Sequence, residues 1–202
     1  MNASTAIYSG ESTHVSLLGR LKTLGDQAAW RDFCDRYGAL IRRFSSRRGL
    51  QPSDCDDILQ ETLLALAKSM PTFQYDPSRG SFRGYLKTVA VHIIFRKICQ
   101  TQRPTPPEEI EKSVRSAMAD PEVEADWETE WRQHHLRAAM KSIEAEFNER
   151  DRAAFDAYVL HGAGAAEAAK KLDMSTDQVY QAKARILKRL TQLVEAQVRE
   201  EG

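Results

Sequence analysis

The chain has 202 residues, 29 Lys+Arg against 29 Asp+Glu and a mean hydropathy of -0.53, enough for one large or two small buried cores but with no apolar run long enough to span a membrane. Residues 1–25 lack the basic start and apolar stretch of a signal peptide, and Cys34, Cys55 and Cys99 are odd in number and without zinc-ligand spacing, so the expectation is a soluble, cytoplasmic protein with reduced thiols, no metal, no cofactor and no membrane insertion. The zero net charge hides a division: residues 1–100 hold 14 basic and 9 acidic side chains, residues 101–150 hold 7 and 12, and residues 151–202 hold 8 and 8, an acidic middle between two modules with cationic faces.

In chain order, every periodic segment reads as helix and none alternates at period two, so the fold class is all-α. Residues 1–24 form a polar N-terminal arm. Trp30, Phe33, Tyr37, Leu40, Ile41 and Phe44 share one helical face, which Gly49 and Pro52 close. A second helix starts after Ser53, with Ser53 or Asp54 as cap, and Leu59, Leu63, Leu66 and Met70 line its buried side. Asp54, Asp57 and Glu61 then share its outer face, free for a basic partner, although Asp54, Asp56 and Asp57 also suit the positive end of the helix dipole. The loop Phe73 to Gly80 is turn-rich, and from Ser81 a third helix runs to about Ile98 with Arg83, Lys87, Arg96 and Lys97 left for solvent or ligand.

Pro104, Pro106 and Pro107 end helical continuity, and residues 101–126 read as a flexible acidic linker with at most a transient helix. Helical spacing resumes with Trp127, Trp131, Leu136, Met140, Ile143 and Phe147, and Phe155, Tyr158 and Val159 form a short helix before Gly162 and Gly164. His134 and His135 are adjacent and point to different sides, which does not suit a shared metal. Residues 165–189, AAEAAKKLDMSTDQVYQAKARILKR, then carry a helix-turn-helix. Ala168, Ala169 and Leu172 are the short apolar face, Asp173 sits at the turn, Ser175 offers a cap, and Val179, Ala182 and Ile186 pack the second helix on the first. Its outward Gln178, Tyr180, Gln181, Lys183, Arg185, Lys188 and Arg189 offer amides to base edges and cations to phosphates. The expected architecture is two small helical domains, residues 25–100 and 127–202, joined by that linker.

The string DCDDILQETLLALAKSMPTFQYDPSRGSFRGYLKTVAVHIIFRK, from Asp54, resembles region two of the extracytoplasmic-function sigma factors of bacterial RNA polymerase, and the helix-turn-helix resembles their region four. The resemblance covers about residues 25–100 and 127–195. It implies a non-enzymatic subunit that binds core RNA polymerase, directs it to promoter DNA and assists melting; an anti-sigma factor restrains some members of the group. It further implies that Asp54, Asp57, Gln60 and Glu61 dock on the polymerase clamp helices. The loop Asp76 to Ser81 would accept a flipped base of the minus-ten element, with Arg83, Tyr85, Lys87, His92, Arg96 and Lys97 facing the opened strand. Tyr85 fits burial with Phe82 and Val89 equally well. The helix-turn-helix would read the minus-thirty-five element, Gln178, Gln181 and Lys183 at base edges and Arg185, Lys188 and Arg189 on phosphates. Phe95 replaces a common Asp, Tyr180 a common basic residue and Ala182 a common Arg.

Two rivals are weighed against this reading. A helix-turn-helix regulator with an N-terminal dimerisation or sensing domain explains residues 165–189 but not the acid face followed by a loop and a basic-aromatic helix. A two-metal nuclease using Asp54, Asp57 and Glu61 fails because those carboxylates lie along one helix face rather than converging in a pocket.

Overall fold

The computed structural model describes residues 13–23, 25–73, 81–102 and 105–200, and the regular elements among them are all helical, with no strand. The elements are α1 (Thr13–Leu21), α2 (Gln27–Arg47), α3 (Pro52–Ser69) with a short 3-10 turn at Met70–Thr72, α4 (Phe82–Gln102), α5 (Pro107–Met118), α6 (Pro121–Glu146), α7 (Glu149–Phe155) running into a π-helical turn at Asp156–Leu160, α8 (Ala165–Lys171) and α9 (Thr176–Glu200). The chain divides into two compact units, one up to Glu130 and the other from Trp131 to Arg199. No helix among the described residues is long and apolar enough to cross a membrane.

In the first unit α2, α3 and α4 share one core. Phe33, Tyr37, Leu40, Ile41 and Phe44 from α2, Ile58 and Leu66 from α3, and Leu86 and Ile94 from α4 have no exposed surface, each such side chain contributing about 1.5–3 kcal/mol by burial. The rings of Phe33 and Tyr37 stand 4.9 Å apart and both meet Phe82 at 6.1 Å. Gly38 lets α3 approach closely: a Cβ there would sit 3.4 Å from Leu59. Gly49, with φ +82, makes the turn out of α2 that a side chain would strain.

Four expectations change. Thr13–Leu21, assigned to a polar arm, form α1, whose Leu17, Leu18 and Leu21 are buried. Pro52 does not close α2 but opens α3 at its first turn, where its missing N–H costs nothing, and neither Ser53 nor Asp54 is the cap. The third helix continues to Gln102 rather than ending near Ile98. Most of the expected linker is folded: α5 buries Val114 and Ala117, and α6 starts at Pro121 behind Asp120, whose carboxylate accepts the Glu122 N–H at 2.8 Å. Prolines at the first helical turn and glutamates just after them start these helices rather than break them.

In the second unit two buried clusters hold α6 to α9 together. Ala139, Ile143, Phe155, Ile186 and Leu190 form one, and Ala154, Ala168, Ala169, Val179 and Ala182 the other. The small residues of the second cluster allow α8 and α9 to cross closely. Asp173 takes the left-handed conformation at φ 51, as its place in the turn requires.

Candidate partner and nucleic-acid interfaces

On α3 the heptad-like spacing leaves Asp54, Asp57, Gln60 and Glu61 off the core side, which is taken by Cys55, Ile58, Leu59, Thr62 and Leu66. The acids are not free, however, and that expectation is corrected. Lys97 Nζ lies 2.9 Å from Asp54 and 3.3 Å from Asp57, and the Arg96 guanidinium donates to Glu61. The same two hydrogen bonds, Asp54 before Asp57, push the Lys97 ammonium above its ordinary range. Asp56 pairs with Arg42 at 2.5 Å, and burial, aided by the charges of Asp54 and Asp56, pushes the Cys55 thiol up. Gln60 is exposed.

The cations of α4, expected to be left for solvent or ligand, are likewise engaged. Arg83 pairs with Glu128 and Lys87 with Glu124, both acids of α6. Ser81 caps α4, its hydroxyl accepting the Gly84 N–H at 3.3 Å, and Asp76 lies outside the described residues. Tyr85 is half-buried, its hydroxyl 2.7 Å from the Ser69 hydroxyl and its ring 4.8 Å from that of Phe73; packing against the end of α3 accounts for it. His92 is exposed beside a groove of about 460 Å³ between α3 and α4, whose apolar floor includes Leu64, Ala65, Val89 and Ile93 and whose rim carries Glu61, Lys68 and Arg96. Leu64 is 61% exposed. Spacing alone pointed to the carboxylates but not to this apolar neighbour.

The start of α9 is a reciprocal cap. Ser175 Oγ accepts the Gln178 N–H at 3.2 Å and Gln178 Oε1 accepts the Ser175 N–H at 2.8 Å. Gln178 therefore has a structural duty beside any base contact. Tyr180 is 49% exposed and stands edge-on to Tyr158, centroids 5.6 Å apart, while Lys183 Nζ lies 4.9 Å over the same ring. Tyr158, on the π-helical turn, was not nominated from the sequence, where it was placed only in a short helix with Phe155 and Val159. Two of the nominated phosphate ligands are held by carboxylates: Arg185 donates to both oxygens of Asp151 at 3.0 Å, and Arg189 to both of Glu146 at 2.6 and 2.8 Å. Arg189 accordingly holds the Glu146 carboxyl below its usual range. Gln181 and Lys188 are exposed. Ala182 is fully buried, so the position where an Arg is common faces the hairpin core here and not a ligand. Arg150 was also missed; its guanidinium donates to the Asp173 carbonyl and holds the turn.

Among the described residues no cluster of His, Cys, Asp or Glu is arranged to hold a metal ion. The carboxylates of α3 follow a helix edge and face cations.

Residues 33–103 match the family model of Sigma-70 region 2. No curated protein matches the chain. A solved structure of CnrH in complex with the cytosolic domain of CnrY is similar at 18% identity, covering 92% of this chain and 99% of that one, with a TM-score of 0.37. The segment that carries the acid row and the basic helix thus lies within the stretch, residues 33–103, that matches Sigma-70 region 2.

Proposed function

We propose that the protein works in the cytoplasm as an extracytoplasmic-function type sigma factor whose two units make separate promoter contacts while it is bound to core RNA polymerase. The α3 edge of Asp54, Asp57, Gln60 and Glu61, with exposed Leu64 beside it, is the polymerase dock. Carboxylates on a helix edge next to one apolar side chain suit a basic helical partner, the apolar contact giving affinity and the charges orientation. The α4 residues Arg83, Lys87, His92, Arg96 and Lys97, with the preceding loop that includes Asp76 and Ser81, take the opened minus-ten strand. The α9 positions Gln178, Tyr180, Gln181 and Lys183 read the minus-thirty-five element, with Arg185, Lys188 and Arg189 near phosphates.

The observation that carries this reading is the row of Asp54, Asp57 and Glu61 along α3 inside the matched residues 33–103. Co-purification with core polymerase tests it. Asp57→Arg combined with Glu61→Arg abolishes retention of core enzyme by the tagged protein while the protein still unfolds cooperatively, its midpoint lowered only slightly by the loss of two surface ion pairs. Retention equal to wild type overturns the docking assignment.

A further inference from the structure

The start of α6 carries acids in two helical stripes on either side of an apolar one. Glu122, Asp126 and Glu130 recur at four-residue spacing, Glu124 and Glu128 do the same, and Val123 and Trp127 lie between them. In the first unit each stripe meets cations. Arg47 Nε is 2.6 Å from Glu130 and its terminal nitrogen 3.4 Å from Asp126; Arg48 pairs with Asp126 and, at 3.8 Å, with Glu122. On the other side Arg83 pairs with Glu128 and Lys87 with Glu124. Between the stripes Val123 and Trp127 are buried, the Trp127 ring meeting Phe44 edge-on with centroids 5.0 Å apart.

We propose that residues 121–130 act as an internal substitute for nucleic acid: an acidic helix, pinned by Trp127, that covers Arg83 and Lys87 in the free protein and must yield them before an opened DNA strand can take its place. A row of carboxylates at helical spacing offers those cations what a phosphate backbone offers, without counterions to release. The contact suits displacement. Glu124 is 54% exposed and Lys87 18%, and Glu128 and Arg83 are about a third exposed, so each pair is weak enough to exchange in water. The inference rests on the assignment of α4 to the opened strand, and it adds that the isolated protein restrains its own single-strand binding.

Fluorescence anisotropy of a labelled oligothymidylate, titrated with the full chain at low salt, tests it. Glu124→Gln with Glu128→Gln is expected to tighten binding roughly threefold to thirtyfold, the range two exposed ion pairs allow. The gain disappears when Arg83→Gln and Lys87→Gln are added. Glu144→Gln with Glu195→Gln removes the same charge elsewhere and leaves the affinity near wild type. No gain from the α6 substitutions, or an equal gain from the control pair, overturns the self-masking even where Arg83→Gln with Lys87→Gln weakens binding. If Arg83→Gln with Lys87→Gln instead leaves binding unchanged in the free protein and in its complex with core polymerase, the α4 assignment fails and the masking proposal falls with it.

Discussion

Lys97 bridges Asp54 and Asp57, at 2.9 and 3.3 Å, and so ties the acid edge of α3 to the basic end of α4. The two groups assigned to different macromolecules neutralise each other in the free chain, and Arg96 with Glu61 repeats the arrangement one turn along. A basic surface that takes the carboxylates releases the cations. Lys97→Gln with Arg96→Gln therefore strengthens binding to core polymerase by about twofold to tenfold, because the acids lose an internal competitor. Competition binding with labelled wild-type protein measures it; weaker binding by the variant contradicts the coupling.

Trp127 and Phe44 pack edge to face, with Trp127 1% and Phe44 0% exposed. Truncating either removes a large buried ring. Phe44→Ala lowers stability by about 3–5 kcal/mol, read as a fall in chemical-denaturation midpoint, whereas Phe44→Leu costs about half as much or less. Equal effects of the two substitutions would show that ring packing is not what Phe44 supplies.

Ala182 sits in the buried cluster with Ala168, Ala169 and Val179. Replacing it by Arg does not add a DNA contact. It forces a charge into a space with no room and no partner, so Ala182→Arg destabilises the second unit by about 3 kcal/mol or more. Thermal melts followed by circular dichroism report a lowered or split transition. An unchanged melt with tighter duplex binding would place Ala182 on the DNA face after all.

Arg189 depresses the Glu146 carboxyl below its ordinary value. A carboxylate with a folded value below the unfolded one adds stability that is fully present above the unfolded value, about 4.3, and is lost as the pH falls through the folded value. Both partners are over a third exposed, so solvent screening limits the contribution to about 1 kcal/mol or less. Wild type therefore exceeds Glu146→Gln in melting temperature at neutral pH, and the gap closes below about pH 4. A gap that widens on acidification contradicts the assignment.

The all-α class, the core faces of α2 to α4 and the helix-turn-helix were legible because apolar residues recur there at helical spacing over long stretches. Asp173 was legible as the turn because few residues tolerate positive φ. Residues 107–126 were not. Their apolar positions, Ile110, Val114, Ala117 and Val123, are diluted by glutamates, and the composition of a solvated linker is also that of a helix whose acids meet cations from distant parts of the chain. The candidate residues were legible as types at exposed helical positions. Their partners were not: Lys97 and Asp54 lie on two different helices, as do Arg185 and Asp151, and such pairings depend on how the helices pack. Ala182 looked like a departure from a basic position until its burial explained it.

The central claim, that α3 and α4 work together as a polymerase dock and strand-binding face, is tested most directly by run-off transcription. Purified core enzyme is supplied with the protein and a genomic template library, and the initiated transcripts are sequenced. The account predicts discrete start sites that appear with wild type, vanish with Asp57→Arg plus Glu61→Arg, and weaken steeply with Arg83→Gln plus Lys87→Gln. Start sites unaltered by the α3 substitutions, or no promoter-dependent initiation from wild type, would contradict it.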